Sequence, residues 1–379
     1  MPGYARALAA LHLGQGDALA LARRAAEEAP RSADALALEA SQLVYSRDPR
    51  EAEAAGWAFA RLRRLPLELR HHEHAQAIAA ALDGDFERAG LHYDRLLLKE
   101  PRDTLALWAA QTVDYYLGAS PALAARAERV AEQLSPSLPG YHFVLASLAF
   151  GLQECGDYAA AEGNARRALE LEPGDLRAQH ALMHVFEMQG RAAEGLAFAP
   201  GNNHLRWHQA LFHLQLGQGR KALAIYDREL RSESLADLID ASALLWRLRL
   251  AGMDVGARFS ELAGRWAPYA EDAYCAFNDM HAMMAFAGGS RWDWAERLLR
   301  AQERRVARAS GANYDMTRLV GLPACKALAA YARGDHGTAE ALLRSLPPVA
   351  HRIGGSHAQR DILFLTRARL HAPRQLAAA

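Results

Sequence analysis

The sequence has little cysteine, no excess of either charge and no long apolar run. Its 379 residues include three cysteines, Cys155, Cys275 and Cys325. They stand far apart with no Cys-x-x-Cys spacing, so we expect no disulfide and read them as small buried thiols in a reducing compartment. Lys and Arg total 44 and Asp and Glu total 44, which leaves no net charge to drive binding to nucleic acid or to an anionic membrane. Apolar stretches are broken every few residues by Arg, Glu, Asp or Gln, and none is of membrane length. The opening "MPGYARALAALHLGQGD" lacks a basic start followed by a continuous apolar segment, so the expected location is cytoplasmic. β-Branched runs with strict alternation are scarce, and the chain reads as nearly all helix. There is no Gly-x-Ser-x-Gly elbow for a serine nucleophile.

What the sequence does have is apolar material and self-similarity. At 51% hydrophobic it can bury a large core, and typical domain sizes would divide it into two or three domains unless it is a repeat fold. "GDFERAGLHYDRLLLKEP" at 84–101 and "GDYAAAEGNARRALELEP" at 156–173 share Gly-Asp-aromatic, a small residue, a helical apolar pattern and a closing Pro. Weaker copies begin at Gly14, Gly217, Gly288 and Gly334. Such a unit predicts a helix hairpin. Gly permits the turn, a small residue (Ala89, Ala161, Ala222, Ala295, Ala339) allows close approach of two helices, and Pro stops the second one. Loops are signalled at 135–140, 199–204, 309–313 and 353–356.

One helix carries more than packing residues. In "QHALMHVFEMQGR" (179–191) the steps from His180 to His184 to Glu187 are four and three, which puts the three side chains in a single stripe.

The repeat resembles the tetratricopeptide repeat, most strongly at 73–230. The resemblance implies an all-α, right-handed superhelical solenoid of helix hairpins, a single array over 1–379. Its clearest repeats are 73–106, 141–173, 176–200, 204–235, 277–305 and 320–347, with a C-terminal capping helix at 356–371. In that family the first helix of each repeat lines the concave face. Counted from the small residue, His180, His184 and Glu187 then face the groove, as do His74, His204 and His208, with Asp279 and His281 near the same face. The strings "HALMHVFEM", "WHQALFHLQLGQGRKALAIYD", "FNDMH", "VGLPACKAL" and "GGSHAQRD" sharpen the resemblance to the tetratricopeptide repeat protein 38 family. That implies an interior set of His, Asp and Arg residues, and Phe186 stands where relatives can have a further His.

Three readings of the histidines are open. They are structural groups held by hydrogen bonds; or metal ligands, since His-x-x-x-His occurs twice with carboxylates nearby; or metal-free acid, base or ligand-binding groups. The spacing is not the His-Glu-x-x-His signature. "GGSHAQRD" at 354–361 contains the capping box Ser356/Gln359, and its glycines and Arg360 would also suit a carboxylate or phosphate. "RHHEH" (70–74) reads as a polar helix start, Trp292 and Trp294 as packing, and Cys155 as a buried thiol.

The reading adopted is a His- and acid-lined site for a small molecule with an anionic group. His180, His184, Glu187, His208 and His281 are its catalytic candidates, and His74, His204, Asp279, Ser356 and Arg360 contact ligand. If a divalent ion such as zinc is the cofactor, His180, His184, His208 and His281 are the ligands, and metal-assisted hydrolysis is the first reaction class to test. The alternative is a non-catalytic scaffold whose groove binds a peptide or protein partner.

Overall fold

A computed structural model describes residues 2–198 and 201–372, so Ala199 and Pro200 of the 199–204 loop lie outside the described residues. All regular structure among the described residues is helical, and the chain is an α-solenoid whose helices pack with their sequence neighbours as hairpins. They form two compact units. The first runs to His208 and includes Ser310–Ala312, and the second comprises Gln209–Ala309 and the residues from Asn313 onward.

In the first unit α1 (Pro2–Leu13) pairs with α2 (Ala18–Glu28), α3 (Ala33–Val44) with α4 (Ala52–Arg63), and α5 (Leu69–Leu82) with α6 (Phe86–Lys99). Then α7 (Thr104–Leu117) pairs with α8 (Ser120–Gln133) and α9 (Tyr141–Glu154) with α10 (Tyr158–Leu171). The next hairpin is incomplete: α11 (Leu176–Met188) is followed by the single turn α12 (Ala192–Gly195) before α13 (Asn203–Gln215). The repeat expected at 176–200 therefore lacks a full second helix, in keeping with Gly195 inside it and Pro200 and Gly201 soon after.

The repeated motif works as its residues predict, with one role added. Gly84 sits at φ +76°, in the left-handed region open to glycine, and Asp85 accepts a hydrogen bond from the backbone N–H of Arg88 at 2.9 Å. Asp157 and Asp335 cap their helices in the same way, so the Gly-Asp pair is a turn followed by an N-cap. The five small residues are buried, none more than 1% exposed. At Gly288 the pattern changes. A Cβ there would stand 2.4 Å from the Phe259 ring, so this glycine serves close packing, and Ser290 takes the positive φ, +56°.

The first unit closes on itself. His12, at the end of α1, stacks on Phe143 of α9 with ring centroids 4.4 Å apart. Arg177 of α11 donates from Nε to the Leu11 carbonyl at 2.8 Å, and Gln15 donates to the Gly174 carbonyl. The first helices of successive hairpins thus share one interior.

The second unit contains α14 (Gly219–Glu229), α15 (Leu235–Leu250), α16 (Arg258–Trp266), α17 (Ala276–Gly288), α18 (Trp292–Arg308), most of α19 (Ala312–Met316), α20 (Leu322–Arg333), α21 (His336–Ser345) and α22 (His357–His371). The expected terminal cap is present. Ser356 and Gln359 form a capping box, and α22 packs on α15 and α21, with Trp246 Nε1 donating to Thr366 Oγ1 at 2.9 Å. The cysteines are free thiols, but Cys155 is exposed, Cys275 half-buried and only Cys325 buried. This corrects the expectation of a buried Cys155, which follows the last turn of α9 and so lies at the rim of its hairpin rather than between helices.

Asp103 ties two hairpins together. Its carboxylate caps α7 through the Ala106 N–H at 2.9 Å, and accepts from Arg70 Nε at 2.6 Å and pairs with His74 Nε2 at 2.9 Å, both on α5. Burial pushes its pKa up, but His74, Arg70 and the Ala106 N–H outweigh this and hold the carboxyl well below the usual range. A depressed pKa contributes stability above the unfolded value, and that contribution is lost as pH falls. We expect Asp103→Asn to cost on the order of 3–5 kcal/mol at neutral pH. The gap to wild type should narrow below about pH 4. Denaturant melts at several pH values check both.

Candidate metal centre and its adjoining cavity

Helix α11 presents His180, His184 and Glu187 on one face, and the first turns of α13 present His204 and His208 one turn apart. The two faces meet. His180 Nε2 lies 2.9 Å from His184 Nε2 and 3.0 Å from His204 Nε2. The ring centroids of His180 and His208 are 5.1 Å apart, and those of His184 and His208 are 4.6 Å apart. Donor atoms of His180, His204 and His208 all lie within 4.8 Å of one another. His184 and His208 are at most 1% exposed.

A neutral imidazole nitrogen has either one N–H or one in-plane lone pair. His180 Nε2 therefore cannot make good hydrogen bonds to two other ring nitrogens at once, although both stand at hydrogen-bond distance. A shared cation removes that conflict, because each nitrogen then points its lone pair at one centre. Tetrahedral zinc with bonds of about 2.0–2.1 Å needs nitrogen separations of roughly 3.3 Å; His180 and His204 stand at 3.0 Å, and the triad's donor atoms all lie within 4.8 Å.

Surrounding groups set the His208 tautomer and keep the His180 ring neutral. The Glu187 carboxylate accepts from His208 Nδ1 at 2.9 Å, which places the lone pair of His208 on Nε2, as a carboxylate–histidine–metal arrangement requires. Burial, followed by the neighbouring His184, His204, His208 and Arg177, holds His180 well below its ordinary pKa. Phe150 stacks on His180 at 5.6 Å and Trp207 on His204 at 5.4 Å, so the cluster is walled by aromatic faces.

Other half-buried or buried histidines of this unit are used differently. His74 is paired with Asp103, His142 with Asp175 and His92 with Glu73, at 2.8–2.9 Å. Each has its own carboxylate, whereas the hydrogen-bonding neighbours of His180 are imidazoles.

His180 also lines a cavity of about 490 Å³. Its walls include Tyr45, Trp108, Tyr115, Tyr116, Phe143 and Phe150, contributed by α3 or its end, α7 and α9, and Arg177 lies beside His180 on the α11 wall. Among the described residues no acidic side chain lines it.

Of the metal ligands expected from sequence, His180 and His208 belong to the triad and His184 touches His180. His204, expected only to contact ligand, completes the triad. Glu187 orients His208. His74 is engaged with Asp103. Asp279, His281, Ser356 and Arg360 belong to the second unit. There His281 is buried and donates from Nδ1 to the Phe277 carbonyl at 2.8 Å, and Arg360 is buried and donates to the Gly355 carbonyl. Phe186 is buried against Phe198, ring centroids 5.8 Å apart. Arg177 and the aromatic wall were not singled out by sequence reasoning, although Arg177 stands three residues before His180 and so shares its helical face.

The fold and the site together define a helical-hairpin protein with an imidazole cluster opening on an aromatic cavity. No model of a known protein family matches the chain.

In the second unit, buried Asp279 accepts from Gln302 Nε2 at 3.1 Å. Burial pushes its pKa up to about 7, with the Gln302 hydrogen bond opposing. A raised carboxyl pKa means that the folded state holds the proton more tightly, so stability falls as pH rises from about 4 through 7. Asp279→Asn should abolish that slope and raise Tm at pH 8 while leaving it nearly unchanged at pH 4. Parallel melting curves for the two proteins across this range would contradict the assignment.

Proposed function

We propose that His180, His204 and His208 hold a divalent cation of the zinc type, and that the protein is a metal-dependent, hydrolase-type enzyme acting on a small molecule in the adjoining cavity. The convergence of ring nitrogens on His180 Nε2 carries this reading. Three protein ligands leave a coordination position open, the pattern of catalytic rather than structural zinc. Held by these residues, a divalent cation would supply Lewis acidity and an activated water near neutral pH. The chain's own contribution is to keep His180 neutral by burial, to fix the His208 tautomer through Glu187, and to shield the site with Phe150 and Trp207. His184, whose Nε2 lies 2.9 Å from His180 Nε2, stands beside the triad as a fourth imidazole.

In the same reading the chain is a cytoplasmic member of the tetratricopeptide repeat protein 38 family. The strings at 180–188, 207–227, 277–281, 320–328 and 354–361 support this, as do the glycine turns and small-residue contacts of its hairpins.

Elemental analysis of protein purified without a histidine tag should find stoichiometric zinc or a neighbouring first-row metal. His180→Ala and His204→Ala should lose it while keeping the helical circular dichroism of wild type. Glu187→Gln should weaken zinc affinity by about 10–100-fold. If wild type binds added zinc no more tightly than His204→Ala, the centre is a hydrogen-bonded cluster and the enzymatic reading falls with it.

A further inference from the structure

The cavity beside the centre has its own chemistry. Most of its polar lining is spent within the fold: Gln111 donates to the Leu123 carbonyl at 2.6 Å, Thr112 to Trp108 at 2.9 Å, and the Tyr116 hydroxyl to the Tyr45 carbonyl. The Tyr45 hydroxyl meets that of Tyr93 at 3.1 Å. Arg177 is the exception. Its Nε is held by the Leu11 carbonyl, but among the described residues no carboxylate forms an ion pair with its guanidinium, and no acid lines the cavity. Three other half-buried or buried arginines of this unit are matched: Arg126 by Asp114 and Asp94, Arg70 by Asp103 and Asp34, Arg61 by Glu39. Its nearest acid, Asp175, is committed to His142 and to the α11 N-cap, so Arg177 presents a guanidinium without a direct ion pair to an aromatic chamber, one helical turn from His180.

We infer that this cavity binds an organic carboxylate with a flat aromatic body, the carboxylate on Arg177 and the body among Tyr45, Trp108, Tyr115, Tyr116 and Phe150. This names a ligand class for the site proposed above and rests on that reading only for what happens next to the histidines. The anion site itself needs no metal. Arg177, with Nε already fixed, offers its remaining N–H groups in a pre-set plane that suits a carboxylate. The aromatic faces supply area and stacking for the body at low entropic cost. Because Arg177 and His180 are three residues apart on α11, the anionic end and the group facing the histidines are separated by only about 5–6 Å. The predicted ligand therefore has its second polar group, such as an amide or ester, close to the carboxylate.

The probes are 2-naphthylacetate and its neutral counterpart 2-naphthylacetamide, which share a body and differ in charge. Their affinities are measured by calorimetry on the full chain after dialysis against chelator, and again with zinc. We expect the acid to bind wild type more tightly than the amide in both conditions. Arg177→Gln should weaken the acid by about tenfold or more and leave the amide unchanged. Tyr115→Ala should weaken both, which keeps the cavity testable if Arg177→Gln folds poorly. His204→Ala should abolish the zinc dependence without abolishing binding of the acid, so the anion site and the metal centre fail separately. Equal affinity of the two probes for wild type, no binding of either, or an acid affinity unmoved in a folded Arg177→Gln variant would overturn the inference.

Discussion

The return of α1 onto α9 and α11 is the constraint on which the first unit depends. A stack of hairpins left open would expose the aromatic side chains of α7 and α9 to water. Here His12 covers Phe143, and Leu11 holds Arg177 by its carbonyl. The contact places a histidine near an arginine, an arrangement tolerable only if the imidazole is neutral. Burial, then Arg177 and His142, bring His12 down to about 3, so it stacks as an uncharged ring throughout the physiological range. The closure also accounts for the two faces of Arg177. One edge is spent on holding the unit shut, and the rest borders the cavity.

The same unit shows two economies of histidine. At two joints between hairpins histidine is given a carboxylate, at His74 and Asp103 and at His142 and Asp175. Such a pair satisfies the ring and, at Asp103, a helix cap as well. In the cluster of α11 and α13, imidazole faces imidazole, with Glu187 committed to His208. Burial and the neighbouring imidazoles keep His180 neutral there.

Much of the architecture was legible because it is local. Gly84 and Asp85 make a turn and a cap within four residues, Ala89 and Ala161 announce close helix contacts, and Ser356 with Gln359 predicts the start of α22. The stripe of His180, His184 and Glu187 follows from the helical period alone. Less was legible where local signals compete. At Gly288 a glycine that reads as a turn is needed instead for contact with Phe259, and the hairpin after α11 is cut to one turn. Cys155 looked like a packing thiol because its neighbours are helical, yet it falls at the rim of α9 and is exposed.

The sequence by itself determined the helical class, the hairpin repeat and which residues share a face, because each of these follows from backbone geometry over a few residues. Tertiary structure alone decided that His204 meets His180 across two helices, that His74 goes to Asp103 rather than to the cluster, and that Arg177 borders an aromatic chamber with no acid among its described lining residues. The reason is physical. Helical phase is fixed every 3.6 residues, but which faces meet depends on small rotations accumulated over many hairpins and on the shortened α12, and no local pattern records that sum.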